Sequence, residues 1–574
     1  MKYLGIDFGT TFTKAAIFDT EKDQTVLVEL NPDNTDFGFG KTKYAMPTIV
    51  LVNITPYNRS YEVGHKAQNM KRYPGTFVYE KFKTSLDSDN DCVQTNPDIT
   101  YQELIQAIFT HVYNTAKLQA LSDFDRVVIT VPASTIRNSP RWQRMYNAAR
   151  NTFGSNMVID IIYEPEAAGF ALLNDSLKKD PSIDGKTFLV YDFGGGTFDA
   201  SVFQVKDEQI FIIGESIGSD DQRKWGGVYI DDIILKDYKR NGSIINTIIG
   251  DIENKGLREQ MKIEEMLRME PIKAKIALST STLYQFALMD YTLNVEHFND
   301  LIRPMIDDTI TYSKSLLELK AEEGTELSLQ DIKKIFLVGG TSRLQMIPNA
   351  WSKEQNKNSK ASSFEMEHAD IEIVAIGASK YNHLRVSPDR LIELGILRLS
   401  NKDYSQAALY FRNSETPLGN YLLGLLFFEG LIGNKRNYRK AIQYFEKSDN
   451  EQSNAMLAKC SFQGRQGLPR NHEMAKAFLQ KAGKLELTTK LQTALNTSTP
   501  SQNTLDYIYK YNPIEDALSS FDIAKLQSKY QVESAPKSKK ESELLNSQDS
   551  GNVQPCCPDL NYSDLMRLAN TIKY

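Results

Sequence analysis

The chain has 574 residues, of which 41% are apolar and 24% charged, as is usual for a soluble protein of several domains. Its formal net charge of −6 argues against non-specific binding to nucleic acid. The four cysteines, Cys92, Cys460, Cys556 and Cys557, are too few and too scattered for a disulfide framework or a closed zinc site, which indicates a reducing compartment.

No targeting or membrane segment is predicted. The first glycine turn begins at residue 5, where a signal peptide would stand. The most apolar run, residues 421–428, is far shorter than the ~20 residues that span a bilayer. We therefore expect a cytoplasmic protein with no membrane partner and no nucleic-acid partner.

Residues 4–11 and 190–197 are two similar segments, in which an apolar run ends in an aspartate followed by glycine and threonine. Glycine lets the backbone approach a ligand closely, and the N–H groups of such a turn can converge on a phosphate. An aspartate repels phosphate, but Mg²⁺ usually takes one or two carboxylates beside substrate phosphates. Two copies of the pattern predict a duplicated domain that closes on a nucleotide from both sides.

Short β-rich runs alternate with longer helical stretches, which predicts an α/β architecture. Five buried strands are predicted, at residues 2–7, 14–18, 126–131, 187–192 and 334–338. The first, fourth and fifth strands run into glycine, and ligand sites of open α/β sheets lie at such strand ends. The glycine pair after the fifth strand, Gly339 and Gly340, permits close approach to a flat ring or sugar. Taken alone, it is equally an ordinary tight turn.

Glu164 precedes a proline that can begin a helix. A carboxylate at this point can orient water or a metal-bound hydration shell. The alternative is simple stabilisation of the helix dipole, worth about 0.3–1 kcal/mol.

Together these segments resemble the nucleotide-binding domain of DnaK-type chaperones of the heat-shock protein 70 family, a branch of the actin-like ATPases. The order and spacing of the motifs match over residues 1–385. The run 192–199, Asp-Phe-Gly-Gly-Gly-Thr-Phe-Asp, is highly specific to this family. The other matching segments are 7–11, 129–133, 164–165, 226–227, Lys275 with Ser279, 339–343 and 375–378.

The resemblance implies that ATP or ADP is held with Mg²⁺ between two lobes. The residues implied in catalysis are Asp7, Glu164, Asp192, Thr197 and Asp199, of which Asp7 and Asp192 would hold the metal through water. The residues implied in nucleotide binding are Gly9, Thr10, Thr11, Gly194, Gly195, Gly196, Gly226, Gly227, Lys275, Ser279, Gly339, Gly340 and Arg343. Phosphoryl transfer depends chiefly on positioning and charge neutralisation, so this set suffices for slow hydrolysis.

The chain lacks positively charged residues at two positions where the family has them. Gln68 stands where the family has a catalytic lysine, and glutamine cannot neutralise developing negative charge. Lys66 or Lys71 is the candidate replacement. In the adenosine pocket, Ile276 replaces an arginine and Ile272 a glutamate. We therefore expect nucleotide binding to survive better than turnover.

After residue 385 the chain lacks the linker and β-rich substrate domain of an ordinary chaperone. A 34-residue pattern recurs instead, with Ala407, Ala441 and Ala475 in register, as in tetratricopeptide-like solenoids. A first helix that ends in glycine resembles Sel-one-like repeats in particular. We expect residues 386–490 to form such repeats and to bind a protein or peptide. The alternative is a purely structural helical cap.

The last 84 residues predict several short segments. A linker is expected at 491–506 and a helix at 513–530, so that 491–532 is linker and helix. Residues 533–558 are polar enough for disorder. Residues 559–574 are expected to form a short amphipathic helix that docks either on the repeats or on a partner.

The sequence thus predicts an α/β actin-like ATPase, two-lobed and duplicated, followed by an all-α repeat solenoid and a partly disordered tail. The leading functional hypothesis is a chaperone-like protein in which Mg-ATP binding and slow hydrolysis regulate protein binding by the repeats. The alternative is a pseudo-ATPase scaffold that binds ATP without significant turnover, and Gln68 favours it.

Overall fold

The computed structural model describes residues 1–32, 43–69, 75–93, 96–213, 216–220, 223–321, 327–357, 364–433, 435–465 and 468–530. The described residues form two compact units. Unit 1 ends at Arg385 and unit 2 begins at Val386.

The first half of unit 1 is built on a six-stranded mixed sheet. The strands in this half are β1 (Lys2–Phe8), β2 (Phe12–Asp19), β3 (Gln24–Leu27), β4 (Ala45–Pro47), β5 (Ile49–Ile54), β6 (Arg59–Val63), β7 (Thr76–Glu80), β8 (Cys92–Val93), β9 (Asn96–Thr100), β10 (Arg126–Val131) and β11 (Val158–Tyr163). The helices are α1 (Gly64–Asn69), α2 (Tyr101–Ala120), α3 (Pro140–Phe153) and α4 (Glu164–Lys179), with a 3-10 turn at Phe82–Ser85. The main sheet has the order β11-β10-β1-β2-β3, with β4 beside β2.

The second half of unit 1 repeats this plan. Its strands are β12 (Thr187–Phe193), β13 (Phe198–Lys206), β14 (Gln209–Ile212), β15 (Ile217–Gly218), β16 (Leu283–Gln285), β17 (Thr292–Asn294), β18 (Ile332–Val338) and β19 (Glu365–His368). The helices are α5 (Gly227–Asn241), α6 (Ser243–Gly250), α7 (Leu257–Ala277), α8 (Val295–Ala321), α9 (Met346–Lys357) and α10 (Ile373–Leu384). The main sheet has the order β14-β13-β12-β18-β19, with β15 beside β13.

The two main sheets share one topology, which confirms the predicted duplication. In each half the first strand pairs antiparallel with the next strand and parallel with a strand far along the chain: β1 with β2 and β10, and β12 with β13 and β18. All five predicted strands are present. Leu4, Ile6 and Phe8 are fully buried in β1, as the continuous apolar run requires.

Helix α10 of the second half packs closely on β1 and α4 of the first half, and both contacts involve a glycine. A Cβ atom on Gly5 would lie 2.2 Å from the backbone nitrogen of Ser379, and one on Gly377 would lie 1.8 Å from the carbonyl oxygen of Ala167. Only a residue without a side chain fits either contact. The motif at 375–378 therefore serves close packing of α10 against β1 and α4.

Unit 2 is entirely helical within its described residues. Its helices are α11 (Pro388–Ser400), α12 (Tyr404–Ser414), α13 (Pro417–Glu429), α14 (Tyr438–Ser448), α15 (Glu451–Gln463), α16 (His472–Lys481), α17 (Glu486–Asn496), α18 (Gln502–Lys510), α19 (Pro513–Ser519) and α20 (Ile523–Tyr530). None of the helices in the described part of the chain is long and apolar enough to cross a membrane.

The 34-residue repeat is set by helix caps. Helices α12, α14 and α16 start 34 residues apart, and the residue before each one, Asp403, Asn437 or Asn471, accepts a hydrogen bond from the third backbone N–H of its helix. Such caps stabilise a helix start by about 1 kcal/mol. The recurring alanines at 407, 441 and 475 are fully buried where paired helices meet.

The linker predicted over 491–506 is wrong. Helix α17 continues to Asn496 and α18 begins at Gln502, because Leu491 and Ile508 are both fully buried in the helical core despite their polar neighbours. The predicted helix at 513–530 is two helices, α19 and α20. The predicted disorder at 533–558 and the predicted helix at 559–574 lie outside the described residues.

Candidate functional site

The first turn, residues 9–11, joins β1 to β2. Asp7 stands at the end of β1, 5% exposed, directly opposite Lys14 on β2. The Nζ atom of Lys14 lies 2.6 Å from Oδ2 of Asp7. Burial opposes the charge of Lys14, but Asp7 outweighs it and raises the pKa of that lysine. The first aspartate is therefore already paired with a cation from its own hairpin.

The second turn joins β12 to β13 and closes with a 2.9 Å hydrogen bond from the Gly194 N–H to the carbonyl oxygen of Thr197. Asp192 lies directly opposite Asp199. Gly339, which follows β18, has φ of 84°, and a Cβ atom there would lie 2.7 Å from Oδ1 of Asp192. The third glycine segment thus borders this aspartate, and its predicted part in the adenosine pocket stays a prediction.

The two turns pack directly on one another. A Cβ atom on Gly195 would lie 2.2 Å from Oγ1 of Thr11, and one on Gly196 would lie 2.0 Å from Oγ1 of Thr10. Glycine at 195 and 196 is therefore required by contact between the halves. The structure brings the predicted phosphate-binding residues of both turns to one place.

The start of α5 and the 3-10 turn Thr341–Arg343, which follows β18, contact the second turn. The N–H groups of Gly227 and Val228 donate to the carbonyl oxygens of Gly194 and Gly195 at 3.1 and 2.7 Å. The hydroxyl of Thr341 donates to the carbonyl oxygen of Gly194 at 2.8 Å. Gly226 and Gly227 therefore stand beside the second turn, and their role in nucleotide binding stays a prediction.

Four buried carboxylates come together here: Asp7, Glu164, Asp192 and Asp199. Burial raises the pKa of Asp199 to about 7, and the charge of Glu164 adds to the effect. Burial, then the charges of Glu164, Asp199 and Asp7, also raises the pKa of Asp192 well above its ordinary value. One oxygen of Asp199 accepts from the Ala133 N–H at 2.7 Å, and the other is buried without a hydrogen-bond partner.

This excess of negative charge is suited to a cation. Asp7 pairs with Lys14 and Glu164 with Lys83, whereas both acids of the second turn are destabilised in their charged forms. Within the described residues, no three His, Cys, Asp or Glu side chains are placed to hold a metal ion as direct ligands. Asp7 and Asp192 are carboxylates of the kind that can hold Mg²⁺ through water. Such a magnesium site stays a prediction.

Among the residues predicted for the adenosine pocket, Lys275 contacts the start of α5 beside the second turn, whereas Ser279 and Arg343 have other partners. Lys275 donates to the carbonyl oxygen of Gly227 at 2.8 Å and pairs with Asp231 at 2.6 Å, so it lies beside the second turn. The hydroxyl of Ser279 donates to the carbonyl of Ile276 in its own chain segment, 2.5 Å away. Arg343 donates to the carbonyl oxygen of Ala369 at 3.3 Å. Sequence reasoning did not identify Asp231 as the partner of Lys275.

Of the three residues considered at the position of the family's catalytic lysine, the structure describes Gln68 and Lys66. Gln68 is half-buried, and its buried side-chain oxygen accepts no hydrogen bond. Lys66, one candidate replacement, is 69% exposed and pairs with Glu62. Lys71, the other, lies outside the described residues. The buried cation beside Glu164 is Lys83, which the sequence analysis missed.

In unit 2, the last three helices pack back on earlier helices. Residues 453–462 of α15 are buried on every side, which a helix achieves only between two layers. Helix α19 packs on α13 and α20 packs on α11. Lys459 of α15 donates to the carbonyl oxygen of Tyr511 at 3.2 Å, and Lys529 of α20 pairs with Glu393 of α11 at 2.6 Å. Within unit 2, helices α19 and α20 and the residue after α18 thus contact α13, α11 and α15 respectively.

Comparison with known proteins agrees with these two units. The model of the Hsp70 protein family matches residues 59–392, more than half of the chain. The Sel1 repeat model matches residues 417–448 and 452–487.

Curated relatives include the chaperone protein DnaK of Ureaplasma parvum serovar 3 and that of Ureaplasma urealyticum serovar 10, each 28% identical over 392 residues. The DnaK of Mycoplasma mycoides subsp. mycoides SC is 25% identical over 390 residues. These matches cover 66% of this chain and 57–58% of the relatives' own length. The chain therefore spans less than two thirds of the relatives that it matches.

Proposed function

Because the chain belongs to the Hsp70 protein family and carries Sel1 repeats, we propose that it is a chaperone-like protein that binds ATP with Mg²⁺ in unit 1. Slow hydrolysis there would regulate the binding of a protein or peptide by unit 2. The observation that carries the proposal is the cluster of four buried carboxylates beside two interlocking glycine turns.

The chemistry follows from the charges of the site. The N–H groups and threonine hydroxyls of the turns would hold phosphates, and Asp7 and Asp192 would hold Mg²⁺ through water. The metal would supply charge neutralisation and link the carboxylates to the phosphates. Glu164 and the unpartnered oxygen of Asp199 would orient the attacking water. Lys275 would line the adenosine pocket, together with Ser279, Gly339, Gly340 and Arg343.

Calorimetry with Mg-ATP and Mg-ADP, combined with single-turnover hydrolysis on the same sample, tests this proposal. We expect both nucleotides to bind and turnover to be slow but measurable. Asp192→Ala should reduce turnover by about 100-fold or more, since it removes a group that positions the charged centre. Asp89→Ala, at an exposed position, is the matched control and should change nothing. A chain that binds neither nucleotide would contradict the proposal.

A pseudo-ATPase scaffold is the second candidate, and the loss of lysine at position 68 favours it. The two functions differ in one result, because tight binding of Mg-ATP without detectable turnover would indicate the scaffold.

Regulation of unit 2 is tested separately, by hydrogen exchange on the full chain. Exchange of residues 386–530 should differ between the ATP-bound and ADP-bound states. Identical exchange in both states would leave ATP binding intact but contradict regulation.

A further inference from the structure

Three positively charged side chains surround two aromatic rings in the Sel1 repeats of unit 2. The Nζ atom of Lys459 lies 5.4 Å from the centre of the Phe428 ring. The Cζ atom of Arg465 lies 4.9 Å from the centre of the Tyr438 ring, and the two rings are 5.3 Å apart. Nη1 of Arg436 donates to the hydroxyl of Tyr438 at 3.5 Å. We call the three cations, together with the two rings, the cation cluster.

The cation cluster holds more positive than negative charge. In the described part of the chain, the one acid that pairs with it is Glu429, whose carboxylate accepts from Nη2 of Arg436 at 3.2 Å. Lys459 donates to a backbone carbonyl oxygen, and Arg465 donates to an amide side chain. Neither of these acceptors carries a charge. Two of the three cations therefore have no acid as a partner.

Two buried N–H donors at the cluster have no acceptor within the described residues. They are Nε of Arg465 and the side-chain nitrogen of Gln463, whose oxygen accepts from Nη2 of Arg465 at 2.6 Å. Neither nitrogen can accept a hydrogen bond, and a buried donor without an acceptor is unfavourable. A group that accepts hydrogen bonds would therefore satisfy both nitrogens, and the surrounding charge favours an anion.

The packing of the repeats does not require these cations. Leu425 and Leu431 of the first repeat stand 34 positions before Lys459 and Arg465 of the second. Leu425 is fully buried, so an apolar side chain serves the helix packing at that place. Lys459 is only 2% exposed, and burying its charge without an acid is unfavourable. A structural role is therefore a poor explanation for the lysine.

The same comparison of the two repeats indicates which anion fits. Glu429 of the first repeat corresponds to Gln463 of the second, again 34 positions later. In the first repeat, the carboxylate pairs with Arg436. In the second repeat, an uncharged amide contacts Arg465 instead. The second repeat therefore lacks a carboxylate beside its arginine, and a binding partner can supply one.

We infer that the cation cluster binds a carboxylate in an acidic segment of a protein partner. Arg436, whose side chain is 57% exposed, and the half-buried Arg465 would contact the carboxylate, because a guanidinium matches a carboxylate in shape and charge. Lys459 would add its buried positive charge. The inference rests on the proposed function, which assigns protein binding to unit 2, and it names the chemical class of that partner.

Fluorescence anisotropy of a labelled hexaglutamate peptide, measured with the full chain at low ionic strength, tests the inference. We expect hexaglutamate to bind and labelled hexaglutamine not to bind. Arg465→Gln should weaken the binding of hexaglutamate by about 10-fold or more, the value of a charge-assisted hydrogen bond. Lys459→Met should weaken it by about threefold or more, because a nearby charge is lost. This variant should fold, since the first repeat has leucine at the same place.

Lys490→Met is the matched control for the lysine variant. It makes the same change in α17, at a lysine that pairs with Glu486 and lies outside the cation cluster. The affinity for hexaglutamate should stay within about twofold, because a single distant surface charge contributes little. If Lys459→Met and Lys490→Met have the same affinity as the wild type, the cluster does not bind the peptide.

Gln463→Glu gives the sharpest test, because it supplies beside Arg465 the acid that the first repeat has at 429. The midpoint of thermal unfolding of unit 2 should rise, since the arginine gains a partner. At the same time, the affinity for hexaglutamate should fall by about 10-fold or more, because the new carboxylate takes the place of the peptide's. Gln443→Glu adds the same charge at an exposed position of α14 and should change neither quantity appreciably.

Three results would overturn the inference. They are no binding of hexaglutamate by the wild type, unchanged binding in Arg465→Gln, and displacement of the peptide by inorganic phosphate but not by acetate at the same ionic strength. The last result would assign the cluster to phosphate groups. None of the three concerns the binding of Mg-ATP by unit 1, so the calorimetry with nucleotides decides the proposed function separately.

Discussion

The hairpins β1-β2 and β12-β13 are copies of one backbone that carry different charges. In both, the second charged residue stands seven positions after the first and directly opposite it across the strands. Asp7 faces Lys14 at 2.6 Å, so the first hairpin is neutral. Asp192 faces Asp199, and burial raises the pKa of both acids. The duplication thus preserved the geometry, while the excess negative charge is confined to the second hairpin.

This difference in charge indicates that the two hairpins have different roles. A neutral hairpin can pack closely without a ligand, because its buried charges satisfy each other. The second hairpin is destabilised by its own acids, and a bound cation would relieve that repulsion. Part of the free energy of cation binding would therefore come from removing the repulsion between the acids of the unliganded second hairpin.

The largest effect is expected from making the first hairpin resemble the second. Lys14→Asp would place a buried acid opposite Asp7 and remove its partner. Breaking a buried ion pair commonly costs about 3–5 kcal/mol, and the added like charge increases that cost. The free energy of unfolding of unit 1 should fall by at least this amount. Denaturant unfolding followed by tryptophan fluorescence measures it, because all three tryptophans, 142, 225 and 351, lie in unit 1.

The control for this prediction is Lys22→Asp, in the exposed turn after β2. It makes the same change of charge at the surface, where substitutions usually alter stability by less than about 0.5 kcal/mol. Equal losses in both variants would mean that net charge, and not the buried pair, decides the stability.

A smaller, opposite effect is expected from relieving the second hairpin. Asp199→Asn removes one acid but keeps an oxygen to accept from the Ala133 N–H. The free energy of unfolding of unit 1 without ligand should rise by about 1–3 kcal/mol at pH 7.5, because a negative charge is no longer held in an apolar site beside other acids. Hydrolysis should be lost. Fluorescence unfolding and single turnover measure the two effects, and a loss of stability would contradict the asymmetry.

Much of this site could be predicted because its signals are local. The turns at 9–11 and 194–197 are contiguous motifs, and the five strands that lead to the chemistry are short apolar runs. Lys14 could also have been predicted, because it occupies in the first hairpin the place that Asp199 occupies in the second. The duplication is visible in the two turns, and the same alignment extended along the hairpins places Lys14 opposite Asp7 as it places Asp199 opposite Asp192.

Lys83 and helices α17–α18 were not predicted, for a different physical reason. A lysine after a β-strand looks like a surface residue, and its burial depends on Glu164, 81 positions away. The segment 491–506 is rich in serine, threonine and asparagine, and Leu491 and Ile508 become core residues only through the helices that they meet. Such long-range contacts leave no periodic pattern in a polar segment.

The smallest effect is expected at Lys459 in unit 2. It tests whether the cost of burying a lysine there also depends on its partner. Lys459 is 2% exposed and contacts the carbonyl oxygen of Tyr511 instead of a carboxylate. Burial lowers its pKa to about 8, whereas Asp7 raises that of Lys14. A shift from 10.5 to about 8 disfavours the charged form by about 3 kcal/mol. The hydrogen bond and two aromatic contacts offset most of this cost.

Lys459→Met should therefore stabilise unit 2 by about 1 kcal/mol at pH 7, and the advantage should depend on pH. Below pH 8 both the folded and the unfolded chain hold the proton, so the full cost is present. Between pH 8 and 10.5 the unfolded chain binds more protons, so wild-type stability rises by about 3 kcal/mol relative to the variant. The advantage of about 1 kcal/mol is therefore lost within this range, and the wild type is the more stable chain at pH 10.5. Tyr421 and Tyr511, whose raised pKa values lower stability at high pH, contribute equally to both chains. Cys460 does not, because the charge of Lys459 opposes the rise in the pKa of its thiol in the wild type only.

Circular dichroism of the full chain measures this difference, because the loss of helix without a change in tryptophan fluorescence reports on unit 2. Lys490→Met, a change at a half-buried lysine that pairs with Glu486, is the matched control and should show no such dependence on pH. A pH-independent advantage of Lys459→Met would mean that side-chain packing, and not the unpartnered charge, sets the cost of burying this lysine.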